Sequence, residues 1–322
     1  MLAMQSLPFA TLPAPRAYSA VDLCKAMLAG AGRAGPGRLD ASGLDRTLCH
    51  DAKRGLLEVQ AGASWRSLAA YTGGEFLAGT VGDSVAANIA GADGRPVVAH
   101  LRSLTLVTAD GELRRVSREQ TPELFRLAVG GFGAFGPFYS VTLDLASLSK
   151  AAADAIAPVS IELATLEAPG SRFGIEVLVP PSSSEALIAQ VRAVLDERRC
   201  ALTRLQVRRS LPEEETFLRW AVREYAAVQI EYCARATIGA CVSAAQLRIH
   251  LIGLALGAGG AFAPGHLPQA SRAQASACYP MLGAFLAEQR RYDPAARING
   301  AWCRGVRDLW RRQACEVRWS RG

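Results

Sequence analysis

Two glycine-containing segments hold the residues whose types and spacing favour binding chemistry. The first, TVGDSVAANIAG, runs from Thr80 to Gly91, and the second, GGFGAFG, runs from Gly130 to Gly136. Glycine tolerates positive φ and lets the backbone approach another surface without a Cβ in the way. Small residues in the first segment would also let successive backbone N–H groups point at the oxygens of a phosphate. The first segment alone is also typical of a glycine turn that leads into an alanine-rich helix, and the second of a turn that joins a helix to a strand. Neither by itself predicts more than a backbone-lined site.

Residues that could transfer a proton are fewer and less clearly placed. His266 follows a glycine- and proline-containing stretch, and an imidazole there could deprotonate an alcohol near neutral pH. Glu231 and Tyr232 end the stretch LRWAVREYAAVQIEY and are the other candidates. A lone histidine in such a loop is more often exposed to solvent, and that alternative stays open. His50 and His100 flank predicted strands, and we interpret them as surface or packing residues.

The composition bounds the class of protein. A chain of 322 residues that is 50% hydrophobic can bury a large core and favours two domains. The eight cysteines include no C-x-x-C pair, which argues against a disulfide scaffold and against a metal site and favours reduced thiols in a cytoplasm. No apolar run reaches membrane-spanning length, and the N-terminus lacks the pattern of a signal peptide.

The net charge of +7 raises the question of nucleic-acid binding. The positive charge is almost all arginine, and these arginines are scattered along the chain without the clustering that a phosphate-binding groove requires. We therefore predict a small-molecule ligand, no nucleic acid and no transmembrane segment. The sequence leaves the oligomeric state open.

The elements that must position these residues form two α+β units that divide near residue 150. In the first, the strands Ser103–Thr108 and Glu112–Ser117 form a hairpin across an Asp-Gly turn. In the second, strands and helices alternate, which predicts a mixed sheet. The predicted elements of this second unit are strands at Phe173–Val179, Leu202–Arg208 and Ala227–Tyr232 and helices at Ser184–Arg198, Glu213–Tyr225 and Ser243–Leu256.

Taken together and in order, several segments resemble one family. They are the Leu-Asp and Ser-Gly-Leu turn at 39–44, LLEVQAGASWRSLAAY at 56–71, the two glycine segments, the intervening hairpin and the tail RRYDPAARINGAW at 290–302. Their order is similar to the flavin-binding domain of the vanillyl-alcohol-oxidase-like family, also called the p-cresol-methylhydroxylase (PCMH) type. The resemblance implies an α+β, two-domain PCMH-type FAD-binding fold whose second, substrate (cap) domain carries the mixed sheet. It divides the chain into an FAD-binding domain at 15–150, a substrate domain at 151–285 and a C-terminal segment at 286–322 that returns to the first domain. It also predicts a cofactor groove between the two domains, with the two glycine segments lying close together.

The resemblance also implies an activity and a set of cofactor contacts. The activity is FAD-dependent oxidation of an alcohol, a lactone or a hydroxy acid by hydride transfer to the flavin. The positions carried over as cofactor-binding are Thr80, Val81, Gly82, Ser84, Asn88, Gly91, Gly131, Gly133, Gly136 and Val141.

Three departures from the family pattern favour an alternative. The chain is too short near 30–38 for the family's Arg-Gly-x-Gly-x-Ser loop, which surrounds the pyrophosphate and in some members supplies the histidine bonded to FAD. No histidine lies there, so the FAD is expected to be noncovalent. Asp83 replaces a usual glycine, and Pro137 removes one backbone donor. The alternative is a degenerate flavin-fold protein without FAD that acts as a binding or accessory protein.

Overall fold

Two five-stranded sheets form the framework of the molecule. The computed structural model describes residues 16–29, 40–74, 76–155, 159–162, 171–234 and 237–319. The predicted α+β class is confirmed by this arrangement of two sheets and their helices. The shortened loop at 30–38 lies outside the described residues.

The first sheet lies in the N-terminal half of the chain. Its strands are β1 (Thr47–Asp51), β2 (Leu56–Gln60), β3 (Leu101–Val107), β4 (Leu113–Ser117) and β5 (Phe138–Asp144). They are arranged in the order β1-β2-β5-β3-β4, and all of these neighbours are antiparallel. The accompanying helices are α1 (Ala20–Leu28), α2 (Ala69–Thr72), α3 (Val81–Ala87), α4 (Pro122–Ala128) and α5 (Leu145–Ala153).

Local sequence explains the β3–β4 hairpin, which forms one edge of this sheet. Gly111 takes a φ of 84° in the turn, a conformation that favours glycine. Its N–H donates to the Thr108 carbonyl at 2.8 Å. The Asp110 carboxylate accepts hydrogen bonds from the Thr108 hydroxyl at 2.6 Å and from the Glu112 N–H at 3.2 Å, so the side chain closes the turn. The predicted hairpin is confirmed.

The second sheet contains β6 (Val159–Glu162), β7 (Ser171–Val179), β8 (Ala201–Ser210), β9 (Tyr225–Ala234) and β10 (Ala261–Phe262). Its order is β10-β7-β9-β8-β6, and each of these pairs is antiparallel. The prediction of a mixed sheet was therefore wrong. The reason is that β9 inserts between β7 and β8, which helix α6 (Ser184–Glu197) connects, so that no two parallel strands are neighbours in the described sheet.

The predicted helix Glu213–Tyr225 was also wrong. Glu213 turns its carboxylate back onto the chain, where one oxygen accepts the N–H groups of Glu215 and Thr216, both at 2.9 Å. The segment runs as an irregular connection, and Tyr225 begins β9. Nearly complete burial of the Glu213 side chain explains why it acts as a local cap and not as an exposed helical residue.

Four more helices follow β9 in the described chain: α7 (Ile238–Gly257), which precedes β10, and then α8 (Arg272–Cys278), α9 (Leu282–Tyr292) and α10 (Ala301–Trp319). Between β10 and α8 lies a short 3₁₀ helix, Pro264–Gln269, called here the 264 segment. By length and composition α7 is apolar enough to cross a membrane, a property it shares with core helices of soluble proteins. In the structure α7 packs against β7 and β9. The absence of a transmembrane segment stays a prediction.

The C-terminal part of the chain contacts the first sheet region. Arg297 donates a hydrogen bond from Nη1 to the Ala109 carbonyl at 2.9 Å. Ile298 is buried in a small apolar cluster with Leu44 and Val107. These contacts are of the kind that the resemblance implies for 286–322, while the three domain boundaries themselves stay predictions.

Candidate functional site

The two glycine segments lie side by side and enclose one cavity. The N–H of Gly130 donates to the Val85 carbonyl at 3.0 Å, and that of Phe132 donates to the Ala86 carbonyl at 2.9 Å. The second glycine turn is thereby attached to the C-terminal half of α3. A cavity of about 680 Å³ opens beside this junction. The expectation that the two turns lie together is confirmed.

The walls of the cavity are mostly small or aromatic. The lining residues come from four stretches of the chain: Asp40, Ala41, Ser42, Ala61, Gly62, Thr80, Gly82, Asp83, Ala86, Phe132, Gly133, Gly136, Pro137 and Phe138. All of them belong to the first unit of the chain, whereas the sequence predicts a groove between two domains. The second unit reaches this wall indirectly, because Gly265 of the 264 segment lies against the Phe132 ring.

The first turn of α3 uses its own backbone N–H groups internally. The N–H of Val81 donates to the Ala63 carbonyl at 2.9 Å, and that of Gly82 donates to the Ala61 carbonyl at 2.7 Å. The next N–H, that of Asp83, donates to Oγ1 of Thr80 at 3.1 Å, which makes Thr80 the N-cap. The predicted row of free N–H groups pointing at a phosphate is therefore absent from this described turn.

Ser84 and Asn88 serve the interior of the protein. The Ser84 hydroxyl accepts the indole N–H of Trp65 at 2.9 Å and donates to the Thr80 carbonyl at 2.9 Å. Asn88 is fully buried, ends α3 with a φ of 47°, and accepts the N–H of Val98 on its Oδ1 at 3.0 Å. The structure therefore does not support the predicted contact of Ser84 and Asn88 with a cofactor, because both side chains bond within the protein.

Four other predicted cofactor contacts turn out to be packing positions. A Cβ on Gly91 would lie 2.0 Å from the Phe76 ring, and one on Gly131 would lie 2.2 Å from the Leu127 carbonyl oxygen. Val81 and Val141 are completely buried in the apolar core, where Val141 pairs with Val59 of β2. Glycine or valine at these positions is explained by close packing of the chain on itself.

Three predicted glycines do line the cavity, but in different ways. A Cβ on Gly82 would lie 2.8 Å from the Ala61 carbonyl oxygen, and one on Gly136 would lie 1.9 Å from the Val107 carbonyl oxygen. Gly133 has a φ of 72° and nothing within 4 Å of the place where its Cβ would be. Gly133 is thus the glycine of this turn that faces open cavity space. We call this space the cradle; a side chain at position 133 would occupy it.

These walls fit the ring systems of FAD better than its diphosphate. A volume of this size lies within the range of about 300–1,000 Å³ that is usual for cofactor and ligand sites, and flat rings suit walls of glycine, alanine and phenylalanine. The diphosphate finds no donors on the first turn of α3. It would need them from elsewhere, and Arg33 and Arg38 stand in the segment outside the described residues.

The charged residues that line the described cavity are both carboxylates, Asp40 and Asp83. The backbone N–H of Ser42 donates to Asp40 at 2.9 Å and is the main reason that the pKa of this carboxyl lies below its usual value. Arg16 lies 4.0 Å from the other oxygen of Asp40, with both side chains substantially exposed. The two aspartates favour cations over anions at their end of the cavity.

His266 has a structural role at the edge of the second sheet. The N–H of Glu176 in β7 donates to Nε2 of His266 at 2.9 Å, at the point where the short strand β10 has ended. Burial lowers the pKa of His266 to about 4, although the nearby Glu176 carboxylate acts in the opposite direction. The imidazole is therefore neutral at neutral pH, and its basic nitrogen is already engaged. The sequence pattern favours an exposed loop histidine, and the structure shows a half-buried one.

Glu231 and Tyr232 point to opposite faces of β9, as successive residues of a strand must. The Tyr232 hydroxyl donates to the Ala244 carbonyl of α7 at 3.2 Å, and burial raises its pKa to about 12. Glu231 lies on the other face, 3.9 Å from Arg204, and accepts a hydrogen bond from Gln229 at 3.1 Å. The structure does not bring the three predicted proton-transfer residues together.

The aromatic walls Phe132 and Phe138 are site residues that sequence reasoning missed. Phe132 stands between glycines with a φ of 50°, which is unusual for a bulky residue. A large aromatic residue inside a run of glycines was the signal that could have identified it. Phe138, which begins β5, carries no comparable signal because strands commonly start with an aromatic residue.

Comparison with known proteins shows the fold. No family model matches the chain, and no curated protein does. Among solved structures, Physcomitrella patens BBE-like 1 superimposes with a TM-score of 0.63 at 13% sequence identity, over 88% of each chain. That neighbour belongs to the berberine bridge enzyme-like FAD-linked oxidases, which have a PCMH-type FAD-binding fold. The chain described here has the same PCMH-type FAD-binding fold.

Proposed function

We propose that this protein is an FAD-dependent oxidoreductase that binds its cofactor noncovalently in the cavity between α3 and the 130–136 turn. The observation that carries the proposal is the open cradle at Gly133 in a cofactor-sized cavity, at the junction of the two glycine segments. The fold supports it, since the similar solved structure belongs to a family of FAD-linked oxidases.

When bound, FAD would accept hydride from the carbon of an alcohol, a lactone or a hydroxy acid. The chain would contribute position and shelter: Phe132 and Phe138 form apolar walls that exclude water, and Gly133 leaves the space for a flat ring. None of the three predicted proton-transfer residues lines this cavity, and Glu231 is engaged by Arg204 and Gln229.

The test begins with the visible spectrum of the purified protein and a titration of the apoprotein with FAD. We expect a flavin spectrum, or saturable binding at low micromolar FAD, and release of the flavin into the supernatant after acid precipitation. Reduction of the bound flavin by a panel of alcohols, lactones and hydroxy acids would then identify the substrate class. Flavin that stays with the precipitated chain would contradict noncovalent binding.

A second function is favoured by specific contacts. The internal hydrogen bonds of Val81, Gly82 and Asp83, together with the carboxylates that line the cavity, fit a flavin-fold protein that has lost FAD and binds another small molecule. Its signature would be a colourless protein that binds no added FAD although it melts cooperatively. The same titration therefore separates the two functions.

A further inference from the structure

Phe132 forms part of the cavity wall in a backbone conformation that needs external support. Its φ of 50° lies in the left-handed region, where bulky residues are outliers. Such conformations persist where the surrounding structure holds them. The N–H of Phe132 is fixed by its hydrogen bond to the Ala86 carbonyl, but this bond leaves the ring free to choose a direction.

Two segments far away in the sequence determine where the ring lies. The Trp302 indole at the start of α10 stacks on it, with centroids 4.8 Å apart and planes inclined by 16°. The indole is itself held by a hydrogen bond from Nε1 to the Pro264 carbonyl at 2.9 Å. Gly265, the next residue of the 264 segment, lies so close that a Cβ there would be 3.4 Å from the Phe132 ring.

We infer that Trp302 is a positioning residue for the ligand cavity: its stack holds Phe132 as a wall and so determines the cavity's shape. The described residues that line the cavity belong to the first unit, and α10 contacts this wall at the Phe132 ring. Without the indole, the Phe132 ring can turn away from the cavity, or the backbone of Phe132 can leave its left-handed conformation. Apparent ligand affinity then falls in proportion to the fraction of molecules that keep the wall in place.

The matched control is Trp310, the next aromatic residue along α10, which like Trp302 is partly buried. Its ring lies 4.1 Å under the Arg272 guanidinium and against Gly283, and it is not among the residues that line the cavity. Replacing either tryptophan by leucine removes a packed indole from α10. Only the change at Trp302 removes the support of Phe132.

The first measurement uses FAD as the probe and rests on the proposed function. We expect Trp302→Leu to raise the dissociation constant of FAD about fivefold or more, and Trp302→Phe and Trp310→Leu to stay within about twofold of wild type. Trp302→Phe keeps a stacking ring but loses the hydrogen bond to Pro264, so it distinguishes stacking from that bond. Thermal melts of all variants establish that they are folded.

The second measurement needs no cofactor. Hydroxyl-radical footprinting of the apoprotein reports the accessibility of the Phe132 ring, which we expect to increase in Trp302→Leu and to remain at the wild-type level in Trp302→Phe and Trp310→Leu. Equal oxidation of Phe132 in wild type and Trp302→Leu, or an equal increase in Trp310→Leu, would overturn the inference. A wild type that binds no FAD would refute the proposed function, while the footprint would still decide on Trp302.

Discussion

The indole N–H of Trp65 donates a hydrogen bond to the Ser84 hydroxyl at 2.9 Å. The bond is buried and joins two residues that are 19 positions apart in the chain. This bond joins the helical turn that begins at Trp65 to α3, which forms one side of the cavity. Because the hydroxyl also donates to the Thr80 carbonyl, both of its bonds are made within the protein. Ser84, which the resemblance implies as a cofactor contact, therefore belongs to the scaffold beneath the site.

Ser84→Ala should lower stability without a specific effect on the cofactor. Loss of the hydroxyl leaves the Trp65 N–H buried without a partner, at a cost of about 1–3 kcal/mol. We expect a lower midpoint in chemical denaturation and an unchanged dissociation constant for FAD in the folded protein. A large loss of FAD affinity at full stability would show that Ser84 contacts the ligand after all.

Gly133→Leu should weaken FAD binding more than its effect on stability explains. Its side chain would enter the open cradle, and its positive φ adds about 1–2 kcal/mol of backbone strain. Gly73→Leu is the matched control, because Gly73 has a φ of 78° and nothing within 4 Å of its Cβ position but does not line the cavity. We expect both variants to melt at similar temperatures and only Gly133→Leu to lose flavin. Equal flavin content in the two would argue against the cradle.

Gly82→Val and Gly131→Val should act on stability first. The structure places a carbonyl oxygen of the chain, that of Ala61 or Leu127, within contact distance of each added Cβ. The resemblance implies that both glycines contact the cofactor, but an added Cβ at either position clashes with the chain itself. Thermal melts of the apoproteins should show a lower melting temperature before any flavin is added. A variant that melts at the wild-type temperature would contradict the close packing at its glycine.

Asp83→Asn should tighten FAD binding if the diphosphate lies near α3. The aspartate lines the cavity and repels an anion, whereas asparagine keeps the shape and removes the charge. Relief of about 1 kcal/mol corresponds to about fivefold in the dissociation constant. Raising the salt concentration should reduce the difference between the two proteins, because salt screens exposed charges. An unchanged affinity at low salt would place the phosphates away from Asp83.

The free energy of unfolding should decrease as the pH is lowered, and His266 should account for part of this decrease. Its pKa is about 4 in the folded protein and near 6.5 when unfolded, so the unfolded chain binds the proton more readily. The folded state therefore keeps its full stability above about pH 6.5 and loses up to about 3 kcal/mol as the pH falls towards 4. His266→Gln, which can still accept the Glu176 N–H, should flatten this part of the profile. Parallel profiles for the two proteins would contradict the burial of a neutral imidazole.

Sequence patterns determined those parts of the molecule that depend on near neighbours. The strand Leu56–Gln60, the Asp110-Gly111 hairpin and the Ser19 cap of α1 follow from alternation, turn chemistry and capping, which act over a few residues. The resemblance carried by several segments in order, the glycine segments, the hairpin and the tail among them, predicted the PCMH-type fold. Glycine content alone could not show which glycine faces a ligand, because a Cβ is excluded equally by a cofactor and by the chain itself.

Tertiary structure alone decided the parts that depend on distant contacts. The place of β9 between β7 and β8 made the second sheet antiparallel, and the buried carboxylate of Glu213 replaced a predicted helix by a loop. The cavity wall at Phe132 depends on Trp302, 170 positions later, through a stack of two rings. Such contacts have no periodic signature in the sequence, because they arise only when folding brings separate elements to the same place.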